Sequence, residues 1–223
     1  MRYTSFTPFD LVLLAQGLGV TVALFVVTTL IGLLVGAALA VVRYYRVPVA
    51  TQAILFLTEL LKNSPVLVQL FLVFFGLPAF FHINVTPVVA ATITLSANTA
   101  AFIYVIAVAG IESIDRDQVE AARVFGLTRR QVLRRVIAPQ ALAFAIGPLT
   151  ALLVNQLQVT SLISVIGVVD LTKIGNILNL RTLQPFIVWT VIGLVYYVAA
   201  KLVAWLGSRL ETRLRAYSAW KGL

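Results

Sequence analysis

From Asn63 to Ile111 the sequence carries no formal charge, with His82 neutral. Similar charge-free runs cover Leu11–Val42 and Val136–Val169. A helix needs about 20 consecutive apolar residues to cross the hydrocarbon core of a bilayer. Few other environments accept such runs. The chain is 61% hydrophobic and 11% charged, where a soluble domain has roughly 45–50% apolar and about 25% charged residues. A water-soluble fold of this length would be left with large exposed apolar patches. The expectation is an all-α membrane protein with one transmembrane domain over residues 1–223.

Five spans are predicted, roughly 11–42, 66–81, 88–111, 141–166 and 186–206. The longest run divides at Gly76-Leu77-Pro78, which is followed by the polar residues His82, Asn84 and Thr86 and by Pro87. The first run is too long for a signal-peptide core of about 7–15 residues, so it reads as a span.

Cationic residues fix the expected orientation. With the N-terminus outside, thirteen fall inside: Arg43, Arg46, Lys62, Arg116, Arg123, Arg129, Arg130, Arg134, Arg135, Arg209, Arg213, Arg215 and Lys221. Only Arg2, Lys173 and Arg181 fall outside, and Lys201 snorkels from the inner end of the last span. The positive-inside rule therefore predicts N-out, C-in. It also accounts for the net charge of +9. The clusters lack the aromatic-interleaved basic face of a nucleic-acid binder, so no nucleic-acid partner is expected.

Several chemistries are missing. There is no phosphate-binding G-x-x-x-x-G-K-[ST] loop, no H-E-x-x-H and no nucleophile elbow. No cysteine is present, and the single histidine, His82, reads as an interfacial loop residue. No Asp, Glu, Lys, Arg or His lies in the first three spans, where a proton-coupled carrier would place one. Energy for pumping would have to come from another chain. Gly32, Gly36 and Ala40 form a small-residue stripe, read either as internal packing or as a dimer seam. Asn84-Val85-Thr86 matches a glycosylation sequon.

Residues 112–139 are the least membrane-like part of the chain. They hold six arginines, with Glu112, Asp115, Asp117 and Glu120. Asp115 with Gln118 resembles an N-cap and its N3 partner, and Gly126 suits a helix C′ position. Thr128-Arg129-Arg130-Gln131 reads as a capping box. Two short helices around a glycine turn are predicted. Pro139 is expected to separate the second from the fourth span. Ala121 and Ala122 thin the first helix, and Phe125 with Leu127 places apolar bulk at the turn. Such a tip suits a partner's groove, and composition alone equally allows a solvated, positive-inside loop with no partner.

Glu120-Ala121-Ala122, Gly126 and Ile137-Ala138-Pro139 resemble the EAA loop of ABC importer permeases. Glu59-Leu60-Leu61-Lys62-Asn63-Ser64-Pro65-Val66-Leu67-Val68-Gln69-Leu70-Phe71 is similar to the E-x-x-R-G-T-P-L-L-V-Q-L-F segment of the polar amino acid permeases, the histidine and glutamine uptake family. Thr160-Ser161-Leu162-Ile163-Ser164-Val165-Ile166-Gly167 and Leu95-Ser96-Ala97-Asn98-Thr99-Ala100-Ala101-Phe102 resemble two further segments of that family.

The resemblance implies the transmembrane subunit of a type I importer in a bacterial cytoplasmic membrane. Its partners would be a second permease subunit, identical or related, two ABC ATPases and an extracytoplasmic amino acid-binding protein. No cofactor is implied for this chain, since ATP and Mg would sit on the ATPases. Glu120, Ala121, Ala122, Phe125, Gly126, Leu127 and Pro139 would serve ATPase coupling. The chain departs from the family at Val105, Val108, Gln158 and Val159, where charges are common. The remaining polar candidates for a substrate path are Gln69, Ser96, Asn98, Thr99, Tyr104, Gln158, Thr160 and Ser161. Two alternatives stay open. One is the same transporter for another amine-bearing solute, such as an opine or cystine. The other is a channel or scaffold that works without ATP.

Overall fold

The computed structural model describes the backbone of residues 7–220 and the side chains of residues 7–213. Of the cationic residues used for orientation, Arg2 and Lys221 lie outside the described residues, as does the side chain of Arg215. Helices are the only regular elements among the described residues: α1 (Pro8–Tyr44), α2 (Pro48–Lys62), α3 (Val66–Phe81), α4 (Pro87–Glu112), α5 (Arg116–Val124), α6 (Arg129–Ile166), α7 (Leu171–Thr182) and α8 (Pro185–Trp220). Helices α1, α4, α6 and α8 are each long and apolar enough to cross a membrane. α1 has 37 residues, or roughly 55 Å at about 1.5 Å per residue, well beyond a hydrocarbon core of about 30 Å.

The direction of α3 follows from its neighbours. Gly32 of α1 lies against Thr99 of α4, and Gly36 against Ala100 and Ile103. At the C-terminal ends of both helices Arg43 pairs with Glu112 at 3.2 Å. α1 and α4 therefore run parallel, and the chain between them must return across the bilayer. α2 and α3, bent by 107° at Asn63–Pro65, make that return as one broken span. The crossings then number five.

α2 is a correction to the sequence reading, which left residues 43–62 as a cytoplasmic connection. Pro48 starts the helix at a position where its missing N–H costs nothing.

The buried side of α1 inverts the soluble pattern. Gly17, Thr21, Thr28, Gly32, Gly36 and Ala40 face the bundle, while Val22, Val26, Leu30 and Leu34 face outward. Lipid is as apolar as leucine, so close backbone approach rather than side-chain size drives this packing. A Cβ at Gly36 would stand 2.7 Å from the Ala100 carbonyl oxygen. The small-residue stripe is thus filled from within the chain by α4, and the dimer-seam reading of it falls.

Two prolines predicted to break helices do not. The backbone of Ala138 is right-handed helical, and α6 continues from the loop into the bundle. A π-helical turn, Leu133–Ile137, precedes Pro139, and Ala138 N–H donates to Leu133 O. The wider turn absorbs the hydrogen bond and the space that proline denies an α-helix. The same device, Leu72–Gly76, precedes Pro78, and α3 continues to Phe81. The break lies instead at His82, whose φ is 55°.

At the end opposite Arg43 and Glu112, Arg181 of α7 pairs with buried Asp10 of α1. Buried Asp170 caps α7 by accepting from Lys173 N–H at 2.8 Å, and burial holds its carboxyl above the usual carboxylate range.

Candidate functional site

The loop between α4 and α6 is built almost wholly from local capping. Asp115 Oδ1 accepts from Asp117 N–H at 2.9 Å and starts α5. Gln118 does not close that cap as expected, because it bonds Gln140 Nε2 at 2.9 Å across to α6. At the C-terminus of α5, Leu127 N–H donates to Ala122 O at 3.1 Å and Gly126 N–H to Arg123 O at 2.9 Å. This is a Schellman ending, and it requires the left-handed φ of 79° found at Gly126. Nothing stands within 4 Å of a Cβ built there, so the demand for glycine is conformational rather than steric. Thr128 and Gln131 close the predicted capping box, with Thr128 N–H donating to Gln131 Oε1 at 2.8 Å.

The two faces of the loop differ. Ala122 and Leu127 turn inward onto Val132, Ile137 and Ala141. Leu127 is therefore part of the loop's own core and not of its tip, as the sequence reading had it. Glu120, Ala121, Val124 and Phe125 point outward, with Val124 86% and Phe125 83% exposed. Pro139 is exposed on α6.

The loop is also pinned to the membrane bundle, by contacts the sequence did not reveal. Arg129 Nη2 donates to Tyr44 O at 2.6 Å, and Tyr44 Oη donates to Arg129 O at 3.3 Å. The same guanidinium lies 5.2 Å from the Tyr44 ring centroid and 5.3 Å from that of Tyr45. Adjacent tyrosines at the end of a span were the only available signal, and nothing in the sequence joined them to Arg129.

The polar residues inside the bundle are placed very differently. Gln69 Nε2 donates to Leu61 O at 2.6 Å and Ser64 O at 3.0 Å, and Asn98 Nδ2 donates to Leu61 O at 3.2 Å. These two amides hold the bend between α2 and α3, and among the described residues they are the only pair of the eight path candidates joined side chain to side chain by a hydrogen bond (3.4 Å). Ser96 and Thr99 are buried in α4, with Thr99 packed on Gly32. Tyr104 packs with Ala40 and Ile54. Thr160 is fully buried and its hydroxyl donates to Leu157 O at 2.6 Å. Ser161 is half-buried, and Gln158 is exposed. Asn155, about one turn before Gln158, is also exposed and was missed. Its i, i+3 spacing from Gln158 in an apolar run was the available clue. Val105 is exposed as well. Among the described residues no group of His, Cys, Asp or Glu is arranged to hold a metal ion.

Comparison with known proteins places this geometry. The L-cystine transport system permease of Bacillus subtilis (strain 168) is 32% identical over 204 residues, covering 89% of this chain and 85% of its own. The glutamine transport system permease of Escherichia coli (strain K12) is 29% identical, covering 91% and 93%. A crystal structure of an amino acid ABC transporter with histidines superposes with a TM-score of 0.85 at 29% identity, covering 94% of this chain and all of that one. The MetNI methionine ABC transporter in an inward-facing conformation shares the fold at 20% identity, with a TM-score of 0.77 over 94% and 99%. The family model described as the binding-protein-dependent transport system inner membrane component matches residues 10–216. The chain is a multi-pass membrane protein with the fold of a type I ABC importer permease, and it belongs to the binding-protein-dependent transport system inner membrane component family.

Proposed function

We propose that this chain forms half of the translocation pore of an ATP-driven importer for a polar amino acid in a bacterial cytoplasmic membrane. The N-terminus is outside and the 112–139 loop inside, as the distribution of cations requires. A second permease chain completes the pore, and an extracytoplasmic binding protein delivers substrate. Two ABC ATPases hold ATP and Mg and do the hydrolysis, so this chain is not itself catalytic. The relatives named for cystine and glutamine transport support the substrate class.

One observation carries the coupling assignment. Val124 and Phe125 are almost fully exposed at the tip of a loop whose base is pinned to α1 and packed on its own apolar core. An exposed aromatic on a rigid mount suits insertion into a partner's cleft. Glu120 and Ala121 flank it on the outward face, and Gly126 permits the turn. Nucleotide-driven closure of the ATPases draws the two loops together. It thereby biases the bundle toward the outward-open state through differential binding to the two states.

Gly126→Pro tests the assignment, since proline fixes φ near −65° where 79° is needed. The variant is expected to reach the membrane and to lose both ATPase co-purification and uptake. Normal assembly and import would refute the coupling role.

A second reading keeps the transporter and changes its cargo to cystine or a similar zwitterion. The 32% identity to a cystine permease favours it, together with the uncharged Val105, Val108, Gln158 and Val159. Binding of cystine against glutamine to the cognate binding protein decides between the two.

A further inference from the structure

The loop-side ends of α1, α2 and α4, with α5 and the start of α6, line an open cavity of about 1100 Å³. That is at the upper end of ordinary ligand pockets, about 300–1,000 Å³. Ala40, Val108 and Ile111 give it an apolar side, and Arg43, Arg46, Arg123 and Arg129 a cationic one. Glu112 is the only acid in the lining, and Arg43 already bonds it at 3.2 Å. Arg129 is oriented by the Tyr44 carbonyl and the two tyrosine rings, none of which cancels its charge. Arg46 stands at the left-handed turn between α1 and α2, with φ 55°. Among the described residues, Arg46, Arg123 and Arg129 have no carboxylate within ion-pairing distance.

Three uncompensated cations around one volume repel each other, and an anion held between them relieves that cost. Guanidinium groups match phosphate oxygens two at a time. The apolar side adds a second requirement, since inorganic phosphate would leave the half-buried Val108 and Ile111 uncovered. The cavity sits at the C-terminal ends of α1 and α4, the side that the clustered arginines assign to the inner face of the membrane. Basic pockets between spans on that side suit anionic lipid headgroups.

We propose that this cavity binds the phosphodiester headgroup of an anionic phospholipid, with the upper acyl chain against Val108 and Ile111. The headgroup bridges Arg46, on the α1–α2 turn, to Arg123 and Arg129, on the loop. If the loop is the ATPase dock, as proposed above, the lipid braces it from behind. The binding itself does not depend on that reading.

Native mass spectrometry of the full chain in its native complex tests the proposal, after exchange into vesicles of mixed phosphatidylglycerol and phosphatidylcholine. Wild type is expected to retain phosphatidylglycerol selectively. Arg46→Gln with Arg123→Gln is expected to weaken that retention by about 30-fold, the effect of removing two cations from beside an anionic headgroup. Arg134→Gln with Arg135→Gln removes the same charge from exposed positions outside the cavity lining and is expected to retain the lipid. Equal loss in both double variants would reduce the attraction to diffuse surface charge and overturn the proposal. So would full retention by the Arg46/Arg123 variant. Displacement of the lipid by inorganic phosphate would assign the site to a soluble anion instead and overturn the lipid assignment. Arg46→Lys with Arg123→Lys, which keeps the charge, guards against misfolding and is expected to restore most of the retention. Uptake is not read here, so failure leaves the transport reading standing.

Discussion

The loop between α4 and α6 and the polar interior of the bundle use their hydrogen-bonding groups in opposite ways. In the loop, capping and turn bonds are satisfied locally, by Asp115, Thr128, Gln131 and the Schellman carbonyls of Ala122 and Arg123. Its outward side chains, Glu120, Ala121, Val124 and Phe125, are left exposed. In the bundle, some of the polar side chains are consumed inside, while among the described residues the buried hydroxyls of Ser96, Thr99 and Tyr104 bond no protein group. Gln69 and Asn98 hold a bend, Thr28 accepts from Gln156 at 3.3 Å, and Thr21 accepts from Leu171 N–H at 3.1 Å. A membrane interior has no water to serve an unpaired group, so polarity there is first a structural resource. An exposed polar residue such as Gln158 or Asn155, or a buried hydroxyl with no protein partner such as that of Ser96 or Thr99, therefore carries more functional information than a buried group already bonded within the bundle.

That contrast can be broken at several points. The largest effect is expected at the α1–α4 seam. Gly36→Leu would drive a side chain into the Ala100 carbonyl and Ile103, against backbone that cannot yield. Loss of folded, membrane-inserted protein is expected, read by yield and by size-exclusion profile in detergent. A monodisperse variant would show the helices to be less tightly apposed than described. In the loop, Phe125→Ala is expected to leave the fold intact, because the side chain is 83% exposed. ATPase affinity should fall by about 2 kcal/mol or more, in the range of a buried aromatic anchor, measured by co-purification under increasing salt. Unchanged affinity would remove Phe125 from the interface.

Smaller effects sharpen the bundle side. Gln69→Leu removes the amide that shares its two N–H donors among Leu61 O, Ser64 O and Ser64 Oγ at the α2–α3 bend. The expected cost is about 0.6–1.7 kcal/mol, from the average to the maximum of interhelical hydrogen-bond contributions inside membrane proteins, read as a lowered thermal midpoint. A large loss of uptake with no loss of stability would instead mark Gln69 as a substrate contact. The smallest effect is expected at Asp170. Its folded pKa is raised by burial, so the folded state holds its proton more tightly than the unfolded state. Stability from this group is present at low pH and falls as pH rises from the ordinary carboxylate value through the folded one. Asp170→Asn keeps a capping acceptor and cannot ionise. The variant should gain on wild type across that window and hold a constant advantage above it, as measured by unfolding at a series of pH values.

Much of this was legible in the sequence, because charge-free runs and caps are local signals. The loop's Thr128–Gln131 box and the turn at Gly126 follow from residues three or four apart. What escaped was set by partners distant in sequence or by backbone accommodation. Thr51, Gln52, Glu59 and Lys62 interrupt the apolar pattern of α2, so its role as half of a broken span emerges only with the bend. Pro78 and Pro139 are correctly read as hostile to an α-helix. The π-turns that admit them have no residue signature of their own. Arg129 finds Tyr44, and Asn98 finds Gln69, only once the helices pack.

The central claim, that the Phe125 tip seats in an ATPase, has a direct test because the chain contains no cysteine. Phe125→Cys places a unique thiol at the tip, and Phe186→Cys places one on an equally exposed residue, 84% exposed, at the opposite end of the bundle. Both are treated with a bifunctional thiol–amine cross-linker in native membranes containing the partner chains. The expected result is a cross-linked ATPase species from Phe125→Cys, changed in yield by ATP, and none from Phe186→Cys. An ATPase cross-link from Phe186→Cys, or its absence from Phe125→Cys, would contradict the assignment.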